Sequence, residues 1–164
     1  MTAPRAPRVI GIAGWKNSGK TTLVERLVGE FVRRGWRVAT IKHAHHDADI
    51  DKPGTDSFRH RLAGAAEVAL VGGRRYAIMH EGPEPTLAEV MARLTPCDLV
   101  LVEGYKRESH PKIEVRADND RPLAPDDPNI VAIAVDQRPP VAASLPHFRR
   151  DDIAAIADFI ASRD

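Results

Sequence analysis

The sequence predicts an α/β fold: a mostly parallel sheet with helices on both faces, plus a small β-hairpin. Three observations carry that expectation. Short apolar runs that read as buried strands alternate with segments of helical period. A glycine-bearing loop joins the first such strand to the first such helix. Farther on, Gly72-Gly73-Arg74-Arg75 separates two apolar runs, the pattern of a strand pair with a tight turn.

The elements follow in order. Residues 9–13 form an apolar run without alternation, as expected of a strand buried on both faces. Residues 20–34 read as a helix. Leu23, Leu27 and Phe31, with Val24, Val28 and Val32, make an apolar stripe, and Glu25, Arg26, Glu30, Arg33 and Arg34 fall largely on the other side. Gly35 is its stop. A second strand spans 38–41, a polar loop 42–54, and a helix 55–65 entered through Asp56 and Ser57. The hairpin strands are 68–71 and 76–79. Thr86-Leu87-Ala88-Glu89 has the spacing of a capping box and opens a short helix to about residue 94. Strands at 99–102, 112–116 and 130–135 follow, with a proline- and aspartate-rich loop at 118–129. Ile153, Ile156, Ala157 and Ile160 mark a last helix, capped by Asp151 or Asp152.

A chain of 164 residues fits a single domain with a substantial core, and residues 1–8 read as a disordered lead-in. That lead-in lacks the apolar stretch of a secretory signal, and no apolar run is long enough to span a bilayer. The expectation is a cytoplasmic protein. A net charge of +1 offers no electrostatic reason for nucleic acid or an anionic membrane as main partner. Cys97 is the only cysteine, so no intrachain disulfide forms.

Gly14-Trp15-Lys16-Asn17-Ser18-Gly19-Lys20-Thr21 fits G-x-x-x-x-G-K-[ST] and lies between a strand and a helix, the context in which that motif is a phosphate-binding P-loop. The chemistry requires these residue types. Glycines let the backbone curl so that successive N–H groups point inward at anionic oxygens. The helix adds free N-terminal amides and the positive end of its dipole. Lys20 brings a full charge to the β- and γ-phosphates, and the Thr21 hydroxyl ligates magnesium. Gly14, Asn17, Ser18, Gly19, Lys20, Thr21 and Thr22 are therefore the candidate phosphate-binding residues of a P-loop NTPase-like domain, and Lys20 is also a catalytic candidate. Some dimeric P-loop ATPases carry a second lysine five residues before the loop lysine. Trp15 holds that position here, and Lys16 reads as a solvated cation.

Three further places carry candidate chemistry. Glu103 ends the apolar strand after Asp98, where an acid holds magnesium beside the loop hydroxyl; the alternative is a surface acid closing a strand. The segment 42–51 packs His43, His45, His46, Asp47, Asp49 and Asp51 into ten residues. It fails as a calcium loop, because Lys52 and Phe58 stand where glycine and glutamate belong. Three readings stay open: a switch loop sensing the γ-phosphate, a solvated loop, and a transition-metal site. In the switch reading Asp47 or Asp49 positions metal or water, with Asp47 the metal candidate and Asp49 the catalytic one. The Asn-Lys-x-Asp tetrapeptide that reads guanine in many GTPases is absent. Asp136 is the best substitute, since a carboxylate accepts from guanine N1 and N2; the alternative is a turn aspartate before Pro139-Pro140.

The P-loop continued through Thr22 and Leu23, the block from Ile41 to Ser57, Asp98-Leu99-Val100-Leu101-Val102-Glu103-Gly104-Tyr105-Lys106 and Pro111-Lys112-Ile113-Glu114-Val115 together resemble the MobB family of molybdopterin-guanine dinucleotide biosynthesis adaptors. The resemblance covers about residues 9–136. It implies GTP and Mg²⁺ as ligands, weak GTPase activity, a homodimer, and assistance to the guanylyltransferase MobA, with molybdopterin-bearing proteins as further partners. Two other functions use the same motifs. A small-molecule kinase would close over its acceptor with Arg59, Arg61, Arg74 and Arg75. A metallochaperone GTPase would use His43, His45 and His46.

Overall fold

The computed structural model describes residues 6–44, 50–117, 120–136 and 144–163. They fall into two compact units, Met1–His43 with Met91–Asp164, and Ala44–Val90.

The larger unit is built on a six-stranded sheet in which every pairing is parallel: β1 (Arg8–Ala13), β2 (Val38–Lys42), β5 (Leu99–Glu103), β6 (Lys112–Arg116), β7 (Ile130–Val135) and β8 (His147–Phe148), in the order β2-β5-β1-β6-β7-β8. Arg8 already belongs to β1, one residue earlier than expected, and its Nε donates to the Arg163 carbonyl. The two-residue β8 has no counterpart in the sequence reading.

Helix α1 (Lys20–Arg33) buries Leu23, Leu27 and Phe31, the expected stripe, and stops where Gly35 takes φ 82° and the Trp36 N–H reaches back to the Phe31 carbonyl. Helix α4 (Ile153–Ala161) is capped by Asp152, which accepts from the Ala155 N–H, and buries Ile156, Ala157 and Ile160. Both helices share one core with Ile10, Ile12, Leu99, Leu101, Ile113, Val115, Ala132 and Ala134. Burying each large side chain of that face stabilises the fold by about 2 kcal/mol, enough to hold helices that are marginal alone.

On the other face of the strands, Gly11 lacks a side chain because His110 and Lys112 occupy the space; a Cβ there would lie 2.5 Å from His110 Nε2. Lys112 and Glu114 are both about 1% exposed. Lys112 Nζ donates to the Glu108 carbonyl and to Asp127, and Glu114 accepts from Arg116 and from the Leu123 and Ala124 amides. Loop segments therefore anchor to this face through buried charge.

In the smaller unit, α2 (Asp56–Leu62) is capped by Thr55 rather than by Asp56 or Ser57; the Thr55 hydroxyl accepts from the Phe58 amide. Asp51 is buried and accepts from Ser57 and Thr55, so this acid of the histidine-aspartate segment anchors the helix entry. The hairpin β3 (Glu67–Val71) and β4 (Tyr76–His80) pairs antiparallel around the expected turn. Helix α3 (Leu87–Ala92) begins at the Thr86–Glu89 capping box, with both reciprocal bonds formed.

Candidate nucleotide site

β1 lies between β5 and β6, so the strand order reverses beside it, and the loop from Gly14 to Gly19 emerges at that point from the carboxyl edge of the sheet. The curl needs unusual backbone. Gly14 has φ 156°, and a Cβ on it would lie 2.4 Å from the Val115 carbonyl and 2.5 Å from Ser18 Oγ. Asn17 adopts φ 65° and Gly19 φ 97°. Ser18 is fully buried, and its Oγ has no partner among the described residues. Helix α1 starts without a side-chain cap, so its first amides stay open toward the mouth of the loop.

Lys20 Nζ donates to the Trp15 carbonyl at 2.5 Å, across the loop. Burial lowers its pKa, Lys106 and Lys42 push the same way, and Glu103 and Asp120 oppose them. A polyanion in the loop would reverse that shift. Thr21 Oγ1 lies 3.2 and 3.3 Å from the two oxygens of Glu103, and Lys42 Nζ sits 4.0 Å from the same carboxylate. Close packing holds Glu103 there. The His43 N–H donates to the Glu103 carbonyl at 2.8 Å, and a Cβ on Gly104 would strike His43 Cβ at 2.6 Å. The paired hydroxyl and carboxylate are a hard-oxygen donor set that suits Mg²⁺.

The expected residues are thus partly gathered. Gly14 through Thr22 and Glu103 converge, and Asp136 directly follows β7 on the same edge. Asp47, Asp49, His45 and His46 lie outside the described residues. His43 packs its ring on Tyr105 at 4.6 Å, and among the described residues no three His, Cys, Asp or Glu side chains form a metal-holding group.

Three residues take roles that the sequence does not assign to them. Lys106 Nζ lies 5.4 Å from the centroid of the Trp15 ring, which puts a cation over the position where some P-loop ATPases carry their second lysine. Trp15 Nε1 donates to the Arg121 carbonyl at 2.7 Å, tying the loop to the segment anchored by Glu114. Arg150 holds Asp136 through both carboxylate oxygens and also donates to the Ser18 carbonyl at 2.8 Å. No periodicity or spacing signals these roles, although Trp15 stands out by its place five residues before Lys20 and Lys106 closes the block that starts at Asp98.

A glycine-cornered loop feeding an open helix N-terminus, at the reversal point of a parallel sheet, defines the P-loop NTPase-like class of α/β proteins. Within that class the chain belongs to the MobB family: the family model for molybdopterin guanine dinucleotide synthesis protein B matches residues 9–136. It is 42% identical to the molybdopterin-guanine dinucleotide biosynthesis adapter protein of Haemophilus influenzae, over 93% of this chain and 86% of that protein. It is 36% identical to the adapter protein of the same description from Escherichia coli, over 93% of this chain and 90% of that one. The crystal structure of a MobB protein homolog from Bacillus stearothermophilus superposes with a TM-score of 0.72 at 31% identity, over 94% of this chain and 99% of that one. These likenesses agree with the family resemblance read from the motifs and favour neither the kinase nor the metallochaperone. No helix among the described residues is long and apolar enough to cross a membrane.

Proposed function

We propose that the chain, as a single nucleotide-binding domain, binds GTP with Mg²⁺ and hydrolyses it slowly in the cytoplasm, as an adapter that assists the guanylyltransferase MobA and molybdopterin-bearing proteins. The observation that carries this reading is the Thr21–Glu103 pair at the mouth of the loop. Thr21 and Glu103 would hold the magnesium, which supplies charge neutralisation at the β- and γ-phosphates. The loop amides and Lys20 would bind and orient the phosphates, and Asp136, on exchanging its Arg150 fork for the base, would accept from the guanine N1 and N2 donors. Asp47 and Asp49 remain candidates for ordering metal and water. Calorimetry of GTP against ATP, with and without Mg²⁺, tests the whole. Tight, magnesium-dependent binding of GTP is expected; absence of binding by either nucleotide would refute it.

Glu103→Gln separates the metal role from phosphate binding. The amide keeps the shape but loses the charge. Magnesium-dependent hydrolysis is expected to fall by about tenfold or more, with nucleotide affinity changing less. Hydrolysis at the native rate would move the metal role to another side chain.

The hairpin supports a homodimer. Val71 and Tyr76 are paired across the strands and are 76% and 68% exposed, and Ile78 on the same face is 60% exposed. A two-stranded sheet with an uncovered apolar face is marginal alone, and a second copy would cover it. In sedimentation velocity the native chain should run as a dimer and Tyr76→Asp with Ile78→Lys as a monomer. A variant that still dimerises would place the interface elsewhere.

A further inference from the structure

We infer that Lys106 recognises the terminal phosphate, so that a second cation, carried on the turn after β5, lets the loop distinguish a nucleoside triphosphate from a diphosphate. The inference rests on the phosphate reading of the loop and is independent of which side chain reads the base.

The turn brings that cation inward. Gly104 takes φ 99° and Tyr105 φ 46°, two consecutive residues in the left-handed region directly after Glu103, the magnesium candidate. Glycine adopts that region freely, but a tyrosine there is strained and persists only where its surroundings hold it. Packing holds it here. The Tyr105 ring lies 4.6 Å from the His43 ring, the Tyr105 carbonyl accepts from the Glu108 amide at 3.1 Å, and Gly104 leaves His43 the room that a Cβ would take. The chain turns after Glu103 and lays Lys106 Nζ 5.4 Å from the centroid of the Trp15 ring, on the second residue of the loop.

Two cations therefore meet on Trp15. Its carbonyl accepts from Lys20 Nζ at 2.5 Å, and its ring lies under the Lys106 ammonium. The ring is itself held, because its Nε1 donates to the Arg121 carbonyl at 2.7 Å. Like charges gathered at one residue repel, and after burial the Lys106 charge is among the causes that lower the Lys20 pKa. An anion between them relieves that repulsion. The contact of Lys106 with an exposed indole is weak, whereas a charge-assisted bond to a phosphate oxygen is strong, so the exchange is favourable. Position selects which phosphate. Lys106 sits at the entry of the loop, on the turn that carries the magnesium acid, and the metal bridges the β- and γ-oxygens. Thr22, at the far end of the motif, lines a cavity of about 440 Å³ with Arg26 and Arg149, where the nucleoside would lie. The cation at the entry then meets the phosphate farthest from the nucleoside.

The test measures, by calorimetry with Mg²⁺, the affinities of GDP and of the β,γ-imido analogue of GTP. Lys106→Ala should weaken the triphosphate analogue by about tenfold or more and GDP by no more than about twofold, the loss of one hydrogen bond between charged groups. Lys106→Arg should keep most of the native ratio and Lys106→Gln should not, because charge carries it. Lys20→Ala should weaken both nucleotides. Trp15 emission, isolated with a Trp15→Phe control, should change more with the triphosphate analogue than with GDP, and that difference should vanish in Lys106→Ala. Thermal unfolding without nucleotide should be native in Lys106→Ala, since the side chain is exposed, and Lys106→Gln serves if it is not. Equal loss of both nucleotides in the Lys106 variants, or native affinity for both, would overturn the role of Lys106 while binding is still lost in Lys20→Ala. A native chain that binds neither nucleotide, or a folded Lys20→Ala with native affinity for both, would overturn the phosphate reading and this inference with it.

Discussion

Lys20→Ala is expected to weaken triphosphate binding by about 100-fold or more while leaving the nucleotide-free chain folded. The first half follows from charge. Truncating one partner of a desolvated, hydrogen-bonded charge pair costs about 2–5 kcal/mol, and each 1.4 kcal/mol is a factor of about ten. The second half follows from position. Lys20 is half-buried at the first turn of α1, and among the described residues its ammonium donates to the Trp15 carbonyl, a bond outside the core of the fold. The core face of α1 belongs to Leu23, Leu27 and Phe31. Calorimetry with GTP and thermal unfolding without it check the two halves separately. Native affinity in a folded Lys20→Ala would remove the phosphate reading of the loop, because Lys20 is the cation at the first turn of α1 whose ammonium crosses the loop to the Trp15 carbonyl. Lys106 lies over Trp15 and Lys42 beside Glu103, and neither stands at that turn.

The parts of the fold that the sequence predicts are those encoded locally. The stripe of α1, the Thr86–Glu89 box and the stop at Gly35 each depend on residues within a few positions of one another, and each appears as expected. The phosphate loop is legible for the same reason: its motif and its strand-to-helix context are contiguous. Legibility ends where meaning depends on distant partners. Nothing local marks Arg150 until the fold brings it to Ser18, 132 residues away. Asp51 reads as a third acid in a metal-rich segment, yet it accepts from Ser57 and Thr55 at the entry of α2. His43 belongs to a segment whose switch, solvated-loop and metal readings the sequence leaves open, and in the fold its ring stacks on Tyr105. The two-residue β8 is too short for periodicity to register, although it carries Arg149 and Arg150 to the site edge.

β6 is the instructive case, because its alternating charge invites the wrong picture. Lys-Ile-Glu-Val-Arg looks like a strand with one solvated face, but Lys112 and Glu114 are among the most buried side chains of the protein. The strand is central, with β1 on one side and β7 on the other, so its polar face must be covered. Loop groups cover it: the Leu123 and Ala124 amides donate to Glu114, and Lys112 donates to the Glu108 carbonyl and the Asp127 carboxylate.

Glu114→Ala should therefore be among the most destabilising single changes outside the apolar core. Glu114 is 1% exposed and accepts four hydrogen bonds: two from Arg116 at 2.9 and 3.1 Å, one from the Leu123 amide at 2.8 Å and one from the Ala124 amide at 3.1 Å. Removing it leaves the half-buried Arg116 guanidinium without this partner and strands two amides, a loss of about 3–5 kcal/mol by comparison with other broken buried pairs. For a chain of this length that lowers Tm by about 10 °C. The effect should also reach the nucleotide site, since the loop that Glu114 anchors presents the Arg121 carbonyl to Trp15 Nε1. Weaker GTP binding should accompany the loss of stability. Adding Arg116→Met to Glu114→Ala should recover part of the stability, because the uncompensated cation goes with it, and a double-mutant cycle measures that recovery. A drop in Tm of less than about 2 °C for Glu114→Ala, with no coupling to Arg116, would mean that the junction is solvated and that the phosphate loop is held from elsewhere.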